Sequence, residues 1–347
     1  MKVRVEPKPH DRVPCRDDVR GDVRISVTVP ARDEASSIVD VIESIPAWVD
    51  RIIVVDDGSV DGTAAQATRA LGQREAVVLR TEGLGVGAAV RVGQARAIAE
   101  QLTEERWVHA VLDGDGQMDA QDLELLLDAH LTSGRSVQGS RTMHPLRLNG
   151  MPRLRRFGTR LLSGLMTLAV GRRCEDPQCG YWLLTEGDLE ALLDGAGWSG
   201  YGYVNHRTLT LARMGRTLER VPVRCIYRSE RSGIRIHRFI PAVSRMIWSG
   251  LWSRGQAWYL SRDTEVETWN RVAVICGFFG GWLAVAGLVA TIAVGAWIPA
   301  VSSGMIALLA FTTAHLSDRA VVRQRTATGA RIRGIESIER ITTGLRR

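Results

Sequence analysis

The stretch Val108-His-Ala-Val-Leu-Asp113-Gly-Asp115-Gly-Gln117 joins a short apolar run to two carboxylates at its end. The apolar residues have the composition of a buried β-strand. Residues two apart on an extended chain point to the same side, so Asp113 and Asp115 can address one ion. A magnesium-like cation takes one or two protein carboxylates and completes its shell with water and substrate phosphates, and Gln117 offers a further neutral oxygen. The stretch therefore predicts a metal-diphosphate site at the end of a strand.

Two other interpretations of this acidic run exist. Asp-Gly-Asp-Gly is also typical of an ordinary turn, because Asp supplies local hydrogen bonds and Gly supplies positive φ. An EF-hand calcium loop is disfavoured, since no Asp or Asn follows at its fifth position and no Glu stands at its twelfth. The choice between a turn and a metal site depends on the remaining chain.

Composition sets broad limits on what this chain of 347 residues is. The length suits one large domain with appendages, or two domains. Nearly all the basic residues are arginine, which codon usage explains, and no spacing of basic and aromatic residues indicates nucleic-acid binding. The spacing of the five cysteines fits neither a zinc site nor a disulfide framework, which favours reduced thiols in the cytoplasm. No cleaved signal peptide is expected.

Residues 23–112 alternate between strand and helix patterns, after a charged segment, 1–22, that is predicted to be a mobile arm. Strands are predicted at 23–29, 51–55, 76–80 and 107–112, with helices ending at Ile45, starting near Asp61 and spanning 86–102. This alternation predicts an α/β fold with right-handed βαβ units and a mainly parallel sheet. Ligands bind at the carboxyl ends of such strands. Three acidic clusters, at 30–34, 56–57 and 113–115, are therefore expected to converge on one crevice.

A dinucleotide site is the main competitor at this point. Gly83-Leu-Gly85-Val-Gly87 lies between a predicted strand and a helix, but its spacing is not GxGxxG and it follows the third strand. Three acidic strand ends would repel a bare pyrophosphate, whereas a divalent cation between them makes the same charges useful. The metal-diphosphate interpretation is therefore favoured over a Rossmann oxidoreductase.

Taken together, the segments resemble family 2 glycosyltransferases of the GT-A fold. The resemblance rests on Val29-Pro-Ala-Arg-Asp-Glu34, Val54-Val-Asp-Asp-Gly-Ser-Val-Asp-Gly-Thr63, Gly85-Val-Gly-Ala-Ala-Val-Arg-Val-Gly93 and Asp113-Gly-Asp115-Gly-Gln117. Further segments look like the subgroup that glycosylates polyprenyl phosphates, such as dolichyl-phosphate mannose synthases: Gly139-Ser-Arg141, Asp176-Pro-Gln-Cys-Gly-Tyr181 and Val221-Pro-Val223. The match covers about residues 23 to 240.

The resemblance implies a role for each matching residue. The nucleotide-sugar site would comprise Pro30, Ala31, Arg32, Glu34, Asp56 or Asp57, Gly85 and Asp113. Asp113, Asp115 and Gln117 would hold Mg²⁺ or Mn²⁺ on the diphosphate, with Asp115 treated as catalytic. Arg141 and Arg155 would bind the acceptor phosphate and are also treated as catalytic, although arginines crowd the region around Arg155. Asp33, Gly83 and His206 depart from the family's usual Asn, Asn and Glu, which leaves the sugar open.

The chain from Val272 to Leu316 contains no Asp, Glu, Lys or Arg. As one helix this segment would be about 66 Å long, which is roughly twice the thickness of a hydrocarbon core of about 30 Å. The chain is therefore predicted to reverse direction at 295–299. The two predicted spans are 272–294 and 299–316. A buried helix pair of a soluble protein is the alternative. The arginines of the following tail predict two spans with the tail and the catalytic domain cytoplasmic at the cell membrane.

The segment 239–270, with its tryptophans and arginines, is predicted to form interfacial amphipathic helices, with Arg231 and Arg235 near lipid phosphates. Packing of these helices against the domain alone is the alternative. The predicted units are an arm at 1–22, a GT-A domain at 23–238, interfacial helices at 239–270, a transmembrane hairpin at 271–317 and a basic tail at 318–347.

The sequence therefore predicts a membrane-anchored, metal-dependent, inverting glycosyltransferase that moves a sugar from a nucleotide-sugar donor to polyprenyl phosphate. The alternatives are an enzyme of the same fold with another lipid or glycan acceptor, and a non-catalytic membrane scaffold. A transport path is disfavoured by the absence of Asp, Glu, Lys and Arg within the spans. The sequence is compatible with a homo-oligomer and leaves the oligomeric state open.

Overall fold

The computed structural model describes residues 22–101, 105–144, 153–226, 236–261 and 266–344, without the side chains of 153–155, 236–239 and 326–344. The expected N-terminal arm lies almost wholly outside the described residues. The strands are β1 Val23–Ala31, β2 Arg51–Asp56, β3 Ala76–Arg80, β4 Arg106–Val111, β5 Val137–Ser140, β6 Trp182–Thr185 and β7 Glu219–Pro222. The helices are α1 Ile38–Ser44, α2 Thr63–Leu71, α3 Val86–Glu100, α4 Leu123–Ser133, α5 Arg153–Val170, α6 Glu186–Asp194, α7 Tyr203–Arg213, α8 Ile236–Gly255, α9 Thr268–Ala293 and α10 Trp297–Gly344.

The seven strands form one sheet in the order β3-β2-β1-β4-β6-β5-β7. β1 pairs in parallel with β2 and β4, β2 with β3, and β5 with β7. The mainly parallel α/β sheet predicted from the sequence is confirmed. β1, β2 and β4 are buried along almost their whole length, because helices cover both faces of such a sheet. This explains why even the polar Ser26, Thr28 and His109 of these strands are buried.

The second half of the sheet contains a reversal that the strand patterns do not predict. β6 runs antiparallel to both β4 and β5. Its Trp182 is fully buried and donates its indole N–H to the carbonyl oxygen of Cys179, 2.8 Å away. β6 has only four residues, so periodicity gives no usable signal there.

The strand order changes direction between β1 and β4, and this is where ligands bind in open α/β sheets. The pairing continues beyond the ends of both strands. Leu112 donates its backbone N–H to the Thr28 carbonyl oxygen at 3.1 Å, and Gly114 donates to Pro30 at 3.0 Å. The chain therefore enters the Asp113–Gln117 loop still attached to β1.

Two apolar helices follow the domain. α9 and the first part of α10 are long and apolar enough to cross a membrane, and only 11% and 17% of their most apolar windows is buried. They are therefore not core helices of the described domain. Gly277 and Gly281 of α9 face Ala314 and Phe311 of α10 so closely that a Cβ at either glycine would lie 2.7 Å from an α10 atom. Small residues at four-residue spacing allow such close helix packing within a bilayer.

The hairpin differs from its predicted boundaries. The turn lies at 294–296, and α10 begins at Trp297 with Pro299 in its first turn, where proline needs no hydrogen-bond donor. The hairpin was predicted to end at 317 and the basic tail to begin at 318; α10 continues through both to Gly344, and this boundary stays a prediction. The predicted interfacial segment forms α8, followed by a π-helical turn at Gln256–Leu260.

A buried histidine should make the domain sensitive to acid. His109 in β4 is fully buried, its Nδ1 lies 2.8 Å from Ser26 Oγ, and burial lowers its pKa to about 4. Between pH 6.5 and pH 4 the unfolded chain binds a proton that the folded chain does not. The free energy of unfolding is therefore expected to fall through that window, by about 3 kcal/mol at pH 4.

The measurement is urea unfolding between pH 7 and pH 4 for the wild type and His109→Gln. Other groups contribute equally to both proteins, so the difference between the two pH profiles isolates this histidine. Parallel profiles would show that His109 is not kept neutral by the fold.

Candidate active site

The acidic loop after β4 is shaped by close approach to β1. A Cβ at Gly114 would lie 3.0 Å from both the Ala31 Cβ and the Pro30 carbonyl oxygen. Glycine between the two aspartates therefore favours the close approach of the loop to β1, because a larger residue would crowd Pro30 and Ala31. This is a steric reason for Asp-Gly-Asp that an ordinary turn would not need.

Asp113 lies in an environment that disfavours its charge. A Cβ at Gly180 would lie 2.7 Å from Asp113 Oδ2 and 3.1 Å from the Tyr203 hydroxyl, so this backbone encloses the carboxylate. Burial raises the pKa of Asp113 to about 7, the charges of Asp115 and Glu34 add to the increase, and Arg141 opposes it. Asp113 Oδ1 and the Tyr203 hydroxyl are buried and have no hydrogen-bond partner within the described residues.

These properties fit a divalent cation. A cation would supply the missing partner of Asp113 Oδ1 and would offset the repulsion between Asp113 and Asp115. Within the described parts of the chain, no three histidine, cysteine or acidic side chains are grouped to hold a metal ion. Two carboxylates with Gln117 would therefore leave positions for substrate oxygens, as magnesium sites usually do.

The rest of the loop is ordered by its own backbone. Gln117 donates its N–H to Asp115 Oδ1 at 2.9 Å, and its carbonyl oxygen accepts from the N–H of Ile226 at 2.8 Å. Met118 pairs with Cys225 in an isolated β-bridge. The predicted phosphate ligands Arg231 and Arg235 lie outside the described residues.

Arg141 is held by Asp176 in a buried two-pronged ion pair. Its Nε and Nη2 donate to the two carboxylate oxygens at 2.7 and 2.8 Å, and its backbone N–H donates to the same carboxylate at 3.0 Å. The Arg141 side chain is oriented before any ligand binds, and its charge reaches Asp113. Arg155, the second predicted acceptor arginine, lies in the first turn of α5, and its side chain is outside the described part.

Asp57 organises the glycine-rich turn. Its carboxylate accepts from the Thr81 hydroxyl at 2.6 Å and from the N–H groups of Leu84 and Gly85 at 2.8 Å each. Asp56 Oδ1 accepts from the N–H of Ser59 at 3.0 Å, and Asp56 Oδ2 lies 3.5 Å from Arg80 Nε. Both carboxylates are buried, and their hydrogen bonds stabilise the loops at the ends of β2 and β3.

The loop after β1 is tied to the loop after β2. Asp33 has φ of 55°, and its carboxylate accepts from the N–H of Val60 at 2.9 Å. Asn and Asp tolerate this left-handed conformation better than most residues. Gly83, with φ of 77°, is in the same region. Asp33 and Gly83 each stand where the family that this sequence resembles usually has Asn. Both residues suit the same left-handed backbone conformation.

The start of the loop after β1 carries several of the predicted nucleotide-site residues. The Arg32 side chain is half exposed, with its Nη1 3.9 Å from Asp57 Oδ2. Glu34 Oε2 accepts from the Ser37 hydroxyl at 3.0 Å, and the Glu34 charge acts on Asp113. Pro30 and Ala31 end β1 beside the acidic loop. The structure thus brings all three predicted acidic clusters to one edge of the sheet.

The turn before α3 packs against the segment before α7. Gly87 donates its N–H to the Ser199 carbonyl oxygen at 2.7 Å, and Ala88 donates to the same oxygen at 3.3 Å. A Cβ at Gly87 would lie 2.0 Å from the Trp198 carbonyl oxygen, and one at Gly85 would lie 2.6 Å from that of Ser199. These two glycines therefore allow backbone to approach backbone.

Gly87→Ala is expected to lower the free energy of unfolding by about 1–3 kcal/mol, because the added methyl overpacks rigid backbone. Gly164→Ala in α5 is the matched control. Its Cβ would meet nothing within 4 Å, so it should raise the free energy by about 0.5–1 kcal/mol through helix propensity. Chemical unfolding of both variants tests this difference in sign, and equal effects would show that the close approach is not important.

α7 supplies residues that the sequence patterns did not identify as site residues. Tyr203 encloses Asp113, and Arg207 is buried with its guanidinium 5.4 Å from the Tyr203 ring. His206 stacks on Trp198 with ring centroids 6.3 Å apart, and burial, followed by the charges of Arg207 and Arg91, lowers its pKa. These effects favour the neutral form of the His206 imidazole. The segment that begins with Asp176 contributes to the family resemblance, but no sequence pattern shows that Asp176 pairs with Arg141 or that Tyr203 lies beside Asp113, because these contacts join distant segments.

Comparisons with known proteins agree with this geometry. Residues 26–192 match the model of the family described as Glycosyl transferase family 2. The undecaprenyl-phosphate mannosyltransferase of Micrococcus luteus is 28% identical over 252 residues, which cover 67% of this chain and 99% of that protein. Glycosyltransferase AglD of Haloferax volcanii is 30% identical over 199 residues, which cover 54% of this chain but 30% of that protein.

A further relative, an uncharacterized glycosyltransferase of Mycobacterium bovis, is 34% identical over 139 residues, covering 40% of this chain and 57% of that protein. The matched part thus spans less than two thirds of AglD and of this relative. One solved structure that resembles this chain is glucosyl-3-phosphoglycerate synthase from Mycobacterium tuberculosis in complex with phosphoglyceric acid. The two structures superpose with a TM-score of 0.50 and are 22% identical in sequence, and the match covers 69% of this chain and 82% of that chain. This likeness shows the fold.

Proposed function

We propose, from the premise that this chain is a family 2 glycosyltransferase of the GT-A fold, that it transfers a sugar from a nucleotide-sugar donor to a polyprenyl phosphate. The observation that carries the proposal is the pair of Asp113 and Asp115. Asp113 is partly buried, and its Oδ1 is inaccessible and has no hydrogen-bond partner within the described residues. Such a pair suits a divalent cation, Mg²⁺ or Mn²⁺, on a nucleoside diphosphate.

The choice of a lipid acceptor has separate support. The Micrococcus luteus relative is named for undecaprenyl phosphate, and its alignment covers nearly all of that protein. The two helices that follow the domain are long and apolar enough to cross a bilayer. A chain with this arrangement can hold its active site beside a membrane that contains the acceptor.

The donor is bound by the loops at the ends of β1, β2 and β4. Arg32 and Glu34 contact the nucleotide, on backbone fixed by Asp56, Asp57 and Gly85. Asp113, Asp115 and Gln117 hold the cation. When bound, the cation offsets the negative charge that develops on the departing nucleoside diphosphate.

The acceptor needs little activation. A phosphate monoester has a second pKa near 6, so its oxygen is already mostly anionic at pH 7 and needs no strong general base. Arg141, oriented by Asp176, positions this phosphate together with Arg155, and Arg231 and Arg235 contribute from the segment after Ile226. The acceptor oxygen then displaces the diphosphate directly, with inversion at the anomeric carbon.

The membrane placement follows from charge. The helix α10 carries Arg319, Arg323, Arg325, Arg331 and Arg333 beyond its apolar part. Positive residues favour the cytoplasmic side, and a two-span hairpin returns the chain to the side from which it started. The catalytic domain is therefore placed on the cytoplasmic face of the cell membrane.

The test is sugar transfer from a panel of radiolabelled nucleotide sugars to polyprenyl phosphate in detergent, with Mg²⁺, Mn²⁺ or EDTA. A metal-dependent lipid-linked monosaccharide is expected with one donor. Absence of product with every donor, while nucleotide binding persists, would move the acceptor to another lipid or glycan. Absence of nucleotide binding as well would favour a non-catalytic scaffold.

A further inference from the structure

A second polar site lies where the domain meets the hairpin. We call it the basic cavity, and its empty space, including the mouth open to solvent, is about 450 Å³. The residues that matter for its chemistry are Arg172, Arg216, Thr217, Arg220, Trp258 and Arg325. No aspartate or glutamate is among the described residues that line it.

The basic cavity is distinct from the active site. β6 is antiparallel to both β4 and β5, so β4 and β5 run in the same direction. β7 is parallel to β5 and therefore also runs in the direction of β4. Thr217 lies just before the start of β7. The cavity therefore lies at the amino end of the sheet, whereas Asp113 lies at the carboxyl end. α7 begins at Tyr203, near Asp113, and ends at Arg213, just before the cavity residues that start at Gly215. Its 11 residues span about 16 Å, which indicates the separation between the two sites.

Positive charge at the basic cavity is only partly compensated. Arg216 Nε lies 3.5 Å from Asp188, and Arg220 Nε lies 3.9 Å from Glu175, both longer than a hydrogen bond. Burial lowers the pKa of Arg172, and the charges of Arg220 and Arg135 lower it further. Four guanidinium groups around one cavity create a potential that favours an anion.

The residues that line the cavity also include hydrogen-bond donors without a partner in the described part of the chain. Thr217 is 5% exposed, and its hydroxyl has no hydrogen-bond partner within the described residues. The Nε atoms of Arg220 and Arg325 are likewise buried without a hydrogen-bond partner in that part of the chain. Buried donors of this kind are rare unless a ligand or water satisfies them. A phosphate group offers several anionic oxygens that can accept from all three.

We propose that the basic cavity binds the phosphate of an anionic phospholipid headgroup. Its wall includes Val322 and Arg325 of α10, and Val322 lies about 9 Å beyond Leu316 along the helix axis. This is close to the headgroup layer, which adds about 5–7 Å to each side of the hydrocarbon core. Trp258, also in the wall, is a residue typical of that layer. Basic pockets beside cytoplasmic helix ends bind such headgroups.

The occupied site would join the hairpin to the domain. Arg325 lies on α10, Thr217 precedes β7, and Trp258 lies in the turn after α8, where its indole N–H donates to the Arg213 carbonyl oxygen at 2.8 Å. One phosphate contacted by these elements connects three parts of the chain. The proposal depends on the hairpin lying in a bilayer, and it does not depend on which sugar or acceptor the enzyme uses.

The test uses the full-length protein in nanodiscs of phosphatidylcholine that contain phosphatidylglycerol, or of phosphatidylcholine alone. The protein is then released from the nanodiscs and its retained lipids are identified by native mass spectrometry. The wild type is expected to retain one phosphatidylglycerol. Arg325→Gln and Thr217→Val should each reduce retention about tenfold or more, because a charge-assisted hydrogen bond is lost. Arg323→Gln is the matched control, since Arg323 is exposed on the same helix and should retain the lipid.

Three outcomes would overturn the proposal. Equal retention by the wild type, Arg325→Gln and Thr217→Val would show that the lipid binds elsewhere. Equal loss in Arg323→Gln would indicate only general attraction to a basic helix. Displacement of the lipid by millimolar inorganic phosphate would assign the site to a soluble phosphate. Melting temperatures of the variants identify loss through misfolding, and nucleotide binding, measured in parallel, separates this failure from failure of the proposed function.

Discussion

Asp115→Asn is expected to reduce sugar transfer by about 100-fold or more at a fixed concentration of metal. The change removes one of two carboxylates from the cation site and keeps the size of the side chain. Loss of a residue that only supports a metal ligand already costs about 10–100-fold, and a direct ligand should cost at least as much. Asparagine retains the oxygen that accepts from the N–H of Gln117, so the loop is expected to keep its fold.

The measurement is the initial rate over a titration of Mn²⁺, together with calorimetric binding of the nucleoside diphosphate. Asp128→Asn is the control, because Asp128 is exposed on α4 and far along the chain from the loop. It should leave both quantities unchanged. A near wild-type rate for Asp115→Asn at saturating metal would contradict the assignment of Asp115 as a ligand.

The second large effect concerns the connection between the domain and the hairpin. Arg254 in α8 donates from Nη1 and Nη2 to the two carboxylate oxygens of Asp318 in α10, each at 2.8 Å. Its Nε donates to the Ala169 carbonyl oxygen at 2.8 Å, and the Tyr259 hydroxyl also donates to Asp318. Arg254 is 3% exposed. Burial alone would lower the pKa of Arg254, but Asp318 outweighs burial and raises it.

Arg254→Met is expected to lower the free energy of unfolding by about 3–5 kcal/mol, because it leaves the Asp318 carboxylate buried without its cation. The double variant Arg254→Met with Asp318→Leu should recover most of that loss, since an apolar pair of similar size often replaces a buried ion pair at little cost. Urea unfolding in mild detergent measures both.

Arg319→Gln provides the matched control for this pair. Arg319 is exposed and adjacent to Asp318 in α10, so its replacement should change the free energy of unfolding by less than about 0.5 kcal/mol. A loss below about 1 kcal/mol for Arg254→Met would show that the pair is solvated in the membrane-bound protein. A double variant as unstable as the single one would assign the loss to packing of the arginine stem.

Local patterns in the sequence were sufficient for the first half of the fold. The strands β1 to β4 are rich in apolar residues and are bounded by polar turns, and the observed bounds differ from the predicted ones by two residues or fewer. The acidic clusters could be assigned to one edge because parallel strands all end there. The paired apolar helices could be identified from the uncharged segment 272–316 alone.

Pairings between distant residues could not be predicted in this way. Asp176 binds Arg141 across 35 residues, and Asp318 binds Arg254 across 64. A periodic pattern reports which face of an element is buried, but it contains no information on which element lies opposite. The continuation of α10 to Gly344 could not be predicted either, because the loss of apolar character at 317 does not end a helix.

The sequence by itself determined the mainly parallel α/β sheet, the carboxylates Asp113 and Asp115, and the two apolar helices, since each follows from neighbouring residues and strand direction. Only the tertiary structure decided the chemistry of these groups. Gly180 and Tyr203 enclose Asp113 and raise its pKa to about 7, and β7 and α10 bring together the arginines of the basic cavity. Desolvation and charge pairing act through space, so they depend on contacts that form only when distant segments fold together.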